Sequence, residues 1–158
     1  MCYAENTGDS SDTWIETSIR LALSKMDFIA AHSITHKTVG HIAKFDGLIM
    51  NYGGVVAHSA GISIVASHYN QKLPCIVGSI AGAVSDSTHS GPAQSDAAKV
   101  VTVNTEGLDA SYMYAVCYNE YSIQPSDSNW RDSGIRVSIS KIDSILYGPA
   151  SSSFPVRQ

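Results

Sequence analysis

The stretch Asn129–Lys141, NWRDSGIRVSISK, decides the fold class because apolar and polar residues alternate along its second half. Ile135, Val137 and Ile139 are separated by single polar residues. A period of two places one set of side chains on a buried face and the other set in water, which is the pattern of a half-buried β-strand. We therefore predict a strand over Ile135–Ile139.

Nearly the same phrase occurs earlier in the chain, as TWIETSIRLALSK over Thr13–Lys25. When Trp14 is aligned with Trp130, the offset is 116 residues, and Cys2–Glu5 (CYAE) then falls on Cys117–Glu120 (CYNE) with a one-residue gap in the loop between. Further identical pairs are Ile19/Ile135, Arg20/Arg136, Ser24/Ser140, Lys25/Lys141, Asp27/Asp143 and Ile29/Ile145. A period of this length indicates a repeated domain, since solenoid repeats are roughly 20–50 residues long.

The repeat predicts a modular organisation. Residues 1–32 are interpreted as the last two strands of a preceding domain, left as an N-terminal β-hairpin. Residues 33–148 are interpreted as one complete domain, and 149–158 as a linker or tail. Ile19–Leu23 is predicted to form the same kind of strand as Ile135–Ile139.

Other segments support an all-β fold. Lys99–Thr105 and Gly61–Tyr69 are rich in β-branched residues, which favour strands, and turn-forming clusters containing Gly, Pro, Asn and Asp separate them. Six or seven short strands in about 115 residues predict an antiparallel, immunoglobulin-like β-sandwich. The stretch Cys75–Ser87, CIVGSIAGAVSDS, is interpreted as a possible short helix over the edge of the sandwich.

The composition excludes several classes of function. The chain has 158 residues, of which 15% are charged, and its net charge is −4 at pH 7. Nucleic-acid binding needs clustered Lys and Arg, and the sequence has no such cluster. The apolar runs are too short for a membrane helix of roughly 20 residues. No sequence motif implies a cofactor.

The three cysteines suggest a secreted protein. Cys75 and Cys117 are predicted to form a disulfide, which is typical of small extracellular domains. Cys2 occupies the position of Cys117 in the other copy and would lack its partner. The alternative is that all three are buried thiols. No pair has the Cys-x-x-Cys spacing of a zinc or thioredoxin-like site.

Two sets of residues near the repeated tryptophans are candidates for a ligand site and for a structural ion pair. Trp130, Asp127 and Asp132 form a candidate site for a sugar or for calcium, because an aromatic ring can stack on a sugar and carboxylates can bind calcium. The alternative, which we favour, is that Trp130 packs against the core and that its loop is an ordinary polar hairpin. Glu120 and Arg136 are predicted to form a structural ion pair.

Two weaker patterns resemble a serine-hydrolase site and a metal site. Ser59 lies in a sequence similar to the Gly-x-Ser-x-Gly turn of serine hydrolases, with Asp86 and His89 following in the order of a catalytic triad, but Ala57 replaces the first glycine. His32, His36 and His41 are close in sequence, yet no glutamate lies between them as in a zinc motif, so no metal site is predicted.

The sequence therefore predicts a non-enzymatic structural or adhesive module. It would belong to an extracellular or cell-surface array and associate with neighbouring copies through strand edges. The alternatives are a carbohydrate- or calcium-dependent binding module of the same fold and, more distantly, a serine hydrolase that uses Ser59.

Overall fold

The computed structural model describes residues 1–21, 23–142, 145–147 and 154–156, and its fold is all-β. The strands are β1 (Cys2–Ala4), β2 (Trp14–Glu16), β3 (Met26–Ala31), β4 (Ile34–His36), β5 (Val39–Ile42), β6 (Leu48–Gly54), β7 (Gly61–Ala66), β8 (Ala93–Gln94), β9 (Val100–Val103), β10 (Met113–Asn119), β11 (Arg131–Ile139), β12 (Ile145–Tyr147) and β13 (Phe154–Val156). The described helical structure consists of 3₁₀ turns at Tyr69–Lys72 and Pro74–Ile76 and one α-helical turn, α1 (Gly78–Ala81). In the described part of the chain, no helix has the length and apolar character needed to cross a membrane.

Two larger sheets form the body of the protein. The four-stranded sheet has the order β4-β3-β6-β9, with every neighbouring pair antiparallel. The five-stranded sheet has the order β5-β11-β10-β7-β8. Its pairs are antiparallel except for β5 and β11, which run parallel. Two further two-stranded sheets are β1-β2 and β12-β13.

The two larger sheets share one hydrophobic core, which is supplied by alternate residues of their strands. The strand predicted from its alternation is β11, and its apolar residues Ile135, Val137 and Ile139 are all buried in this core. The four-stranded sheet contributes Ile29, Leu48, Met50, Tyr52, Val101 and Val103, and the five-stranded sheet also contributes Ile42, Ile62, Ile64, Tyr114, Val116 and Tyr118.

A second, smaller cluster covers the other face of the five-stranded sheet. It consists of Val65, Cys75, Ala81, Ala115, Cys117 and Trp130. The predicted disulfide joins Cys75 to Cys117, with 5.3 Å between their Cα atoms. The predicted short helix is limited to α1. A loop passes very close to its first residue: a Cβ on Gly78 would lie 2.2 Å from the carbonyl oxygen of Asp127. Glycine lowers helix propensity here but permits this contact.

Two sequence-based boundaries do not coincide with the strand pairing of the structure. The predicted domain junction between residues 32 and 33 falls in the turn between β3 and β4. These two strands are paired, so β3 lies in the same sheet as strands of the segment 33–148. The tail predicted over 149–158 contains β13, which pairs with β12, and the other residues of that segment lie outside the described residues.

The prediction of a strand over Ile19–Leu23 is wrong, because β2 ends at Glu16. Ile135–Ile139 lies between β10 and β5, which hydrogen-bond to it on both sides. In the described part of the chain, Ile19–Leu23 has no such neighbouring strands, so alternation alone does not make it extended.

Candidate functional site

The hairpin β1-β2 reproduces the pairing of β10 and β11. Cys2 lies opposite Glu16 and Tyr3 opposite Ile15. In the larger sheet, Cys117 lies opposite Asp132 and Tyr118 opposite Arg131. These are the positions that the sequence alignment equates, so the two hairpins have the same register.

The same irregularity follows each register. In β11, the pairing with β10 shifts between the partners of Ala115 and Cys117, and Gly134 has a φ of 79° at this point. Ser18, the residue aligned with Gly134, has a φ of 60°. The next residue in each copy donates its backbone N–H to a nearby hydroxyl. Ile135 donates to Ser133 Oγ at 3.0 Å, and Ile19 donates to Thr17 Oγ1 at 3.2 Å.

Each bulge brings an acid and an arginine together. The guanidinium of Arg136 donates to both carboxylate oxygens of Asp132, at 2.8 Å and 2.7 Å. Arg20 forms the equivalent ion pair with Glu16. Four extended residues would hold the Cα atoms of each pair about 13 Å apart, and the bulge shortens this distance.

The loops that precede β2 and β11 also match. The indole N–H of Trp14 donates to the carbonyl oxygen of Asp9 at 3.2 Å, and that of Trp130 donates to the carbonyl oxygen of Gln124 at 3.3 Å. The one-residue difference in loop length is the gap in the sequence alignment. The hydrogen bond from the backbone N–H of Asn129 lowers the pKa of Asp127, so this carboxylate is occupied in stabilising its own loop.

The two hairpins differ in how far their aromatic side chains are buried. Trp130 is 0% exposed and Tyr118 is 3% exposed, whereas the aligned Trp14 and Tyr3 are 52% and 44% exposed. The first hairpin therefore carries on its surface the side chains that its counterpart buries. The exposed apolar residues of this segment are Met1, Tyr3, Trp14, Ile15, Ile19, Leu21 and Leu23.

The predicted sugar or calcium site does not form around Trp130, because the ring is buried in the cluster beside the disulfide. The favoured alternative, packing of Trp130 in the core, is confirmed. Asp132 is engaged by Arg136 and Asp127 by its own loop, so neither carboxylate is directed to a ligand. Within residues 1–21, 23–142 and the two described terminal strands, no group of three or more His, Cys, Asp or Glu side chains could hold a metal ion.

The predicted ion pair between Glu120 and Arg136 is wrong. Glu120 instead accepts a hydrogen bond from Lys25 Nζ at 2.5 Å and another from the backbone N–H of Ala57 at 2.9 Å. The bond between Glu120 and Lys25 lowers the pKa of Glu120 and raises that of Lys25. Because the backbone N–H of Lys25 also donates to the hydroxyl of Tyr118, these contacts join the start of β3 to the end of β10.

The residues considered for a hydrolase triad do not meet. Asp86 and His89 are hydrogen-bonded, with 3.0 Å between Oδ1 and Nδ1. His89 bridges to Val65 near the end of β7, whereas Ser59 precedes the start of that strand. The strand from Gly61 to Val65 alone corresponds to roughly 13 Å. Ser59 is therefore too far from His89 to be activated by it.

Sequence patterns did not predict the aromatic cluster beside this loop. The ring of His68 stacks on Tyr69 with 4.6 Å between centroids, and Tyr69 lies 5.0 Å from His89. Tyr114 donates to the carbonyl oxygen of Asp109 at 2.8 Å, and burial raises the pKa of this phenol to about 12. Only the contact between Tyr69 and His89 joins residues that are distant in the chain, and no local spacing indicates it.

The three histidines that are close in sequence, His32, His36 and His41, do not form a common site in the described part of the chain. His36 is buried with its ring against Gly40, and this burial, together with the nearby His41, lowers its pKa. His32 lies in the turn between β3 and β4, where it borders two open grooves of about 490 Å³ and 440 Å³. Both grooves have mainly apolar linings, which include Ile49 and Val100 in one and Ile34 and Ile42 in the other.

No protein-family profile, curated protein or solved structure shows a significant match to this chain.

Proposed function

We propose that this chain is a non-enzymatic structural or adhesive module of a tandem β-sandwich array, which associates with neighbouring copies through strand edges. The observation that carries the proposal is the exposed hairpin β1-β2, which has the register, bulge and ion pair of β10-β11. In the body of the protein, that arrangement forms the last two strands, in chain order, of the five-stranded sheet. An exposed copy of it is therefore suited to completing another unit of the same kind.

The order of the strands supports an immunoglobulin-like interpretation of the unit. A sheet β3-β6-β9 packs through a common core against a sheet β11-β10-β7, and β5 joins the second sheet parallel to β11. Two antiparallel sheets of this size with a shared core are the architecture of that class.

The proposed location is extracellular or at the cell surface. The internal disulfide between Cys75 and Cys117 supports this proposal, because such bonds persist in oxidising compartments and are rare in the cytosol.

A fusion protein tests the proposed modularity. Residues 24–115 are joined directly before Met1, so that Cys2 takes the place of Cys117 in an added unit. We expect the added segment to cover Trp14, and acrylamide quenching of tryptophan fluorescence should fall compared with the original chain. The control fusion ends at residue 114, which shifts the register by one residue and exchanges the two faces of the strand. If Trp14 remains equally quenchable in both fusions, the modular proposal fails.

A further inference from the structure

We infer that the exposed hairpin, residues 1–20, binds a β-sandwich segment equivalent to residues 26–115 of this chain, and that Cys2 then locks the complex through a disulfide. The inference rests on the proposed modular function and names the partner of the hairpin. The partner is a unit that lacks the end of its own β10 and all of its β11.

Part of the hairpin is already in the conformation of its counterpart, although β2 ends at Glu16 whereas β11 continues to Ile139. Its strand register, its bulge at Ser18 and its ion pair between Glu16 and Arg20 are all present while Tyr3 and Trp14 are still exposed. A preformed element loses less conformational entropy on binding than a disordered one. Binding would therefore bury these side chains without first having to order the backbone.

The body of the protein shows which surface fits this hairpin. β10 pairs along one edge with β7, where Cys117 lies opposite Ser63 and Tyr118 opposite Ile62. By the alignment, Cys2 and Tyr3 would lie opposite the same two residues of the acceptor. The acceptor must therefore offer a free strand edge equivalent to β7.

The acceptor must also supply two apolar contacts. Tyr118 packs in the main core, and the aligned Tyr3 would enter the corresponding core of the acceptor. Trp130 packs with Cys75 and Ala81 in the smaller cluster, and Trp14 would fill the same position. Burial of large aromatic side chains in preformed pockets is a main source of affinity at protein interfaces.

An intact second copy does not offer these features. Its β7 edge is already paired with β10, and its Cys75 is already bonded to Cys117. The acceptor is therefore a segment such as 26–115, which lacks the end of β10 and all of β11, and its cysteine equivalent to Cys75 is a free thiol.

The locking step is an ordinary oxidation of two thiols. Cys2 is a free, exposed cysteine in this structure. The Cys2 thiol and the acceptor thiol lose two protons and two electrons as the S–S bond forms. One molecule of glutathione disulfide takes up these protons and electrons and becomes two molecules of glutathione.

The test mixes the full chain with a polypeptide of residues 24–115, which contains Cys75 as its single cysteine. The polypeptide is diluted from denaturant into the full chain in a glutathione redox buffer. We expect a one-to-one complex on size exclusion, and a peptide linked through Cys2 and Cys75 in a non-reducing mass-spectrometric digest. A Cys75→Ser polypeptide should give the complex without the covalent bond. A full chain carrying Tyr3→Asp and Trp14→Asp should give neither.

Three results would overturn the inference. The first is a linkage to Cys117 instead of Cys2, and the second is equal capture by the Tyr3→Asp and Trp14→Asp chain. The third is precipitation of the polypeptide to the same extent with and without the full chain. If the fusion described above buries Trp14 while this mixture gives no complex, the modular function stands and binding between separate chains is rejected.

Discussion

Ser18 and Gly134 have the same left-handed backbone conformation, with φ angles of 60° and 79°, at aligned positions of two hairpins. Each of them lies midway between an acidic residue and the arginine with which that acid forms an ion pair. Ser18 lies between Glu16 and Arg20, and Gly134 lies between Asp132 and Arg136. The bulge is thus encoded locally, because it forms both on the surface and inside a sheet. Serine tolerates this conformation less well than glycine.

The conformation at Gly134 predicts a cost for any side chain there. Gly134→Ala should lower the free energy of unfolding by roughly 1–2 kcal/mol, because an L-residue is strained at this φ. No atom lies within 4 Å of the added Cβ, so the cost comes from the backbone and not from a clash. Urea denaturation measures the effect. The control is Gly107→Ala, whose Cβ would meet its nearest neighbour at an ordinary 3.6 Å. Equal effects of the two substitutions would contradict the explanation.

The two tryptophans make a matched pair for a second prediction. Trp130→Ala should destabilise the protein by about 3–5 kcal/mol, because it removes a fully buried ring from the cluster beside the disulfide. Trp14→Ala should change the free energy of unfolding by less than about 0.5 kcal/mol, because Trp14 is exposed. Thermal or urea unfolding of both variants provides the measurement. A comparable loss from Trp14→Ala would mean that the hairpin is packed in the isolated chain.

Alternation predicted β11 and the all-β class correctly because it reports which face of a strand is buried. It failed at Ile19–Leu23, since a strand also needs hydrogen-bonding neighbours and those depend on the rest of the fold. The disulfide between Cys75 and Cys117 followed from the repeat, which left Cys2 as the unmatched cysteine.

Ion-pair partners were harder to predict from the sequence. Arg136 and Glu120 recur together in the repeat, but the bulge at Gly134 brings Arg136 to Asp132 instead. Glu120 is left to meet Lys25, which is 95 residues away in the chain. Bulges and long-range contacts of this kind depend on backbone geometry that residue spacing does not record.

A third prediction concerns the acid stability of the loop around Asp86. Desolvation raises the pKa of this carboxyl, but hydrogen bonds from the backbone and hydroxyl of Thr88 and from His89 outweigh it and lower the pKa to about 2. The folded-state pKa is below the ordinary value of 3.8, so the carboxylate stabilises the fold above about pH 3.8. This stabilisation is lost as the pH falls from 3.8 to about 2.

Asp86→Asn should therefore be less stable than the parent at pH 7 and should lose less stability between pH 4 and pH 2. Urea denaturation over this pH range gives both quantities. Asp46→Asn, the same change at an exposed loop position, serves as the control. The assignment fails if Asp86→Asn and the parent lose stability in parallel as the pH falls.

A fourth prediction concerns the two-residue turn between β3 and β4. His32 and Ser33 both have positive φ, at 49° and 64°. Two-residue hairpin turns of this kind favour Asn-Gly, because both positions need the left-handed conformation. The double substitution His32→Asn and Ser33→Gly should therefore raise the free energy of unfolding by about 1 kcal/mol, and the melting temperature by roughly 3 °C. Differential scanning calorimetry measures both effects. Thr35→Asn, at an exposed position within β4, should give no such gain. A loss of stability in the double variant would mean that the His32 or Ser33 side chain contributes more to the fold than the strain of the turn costs.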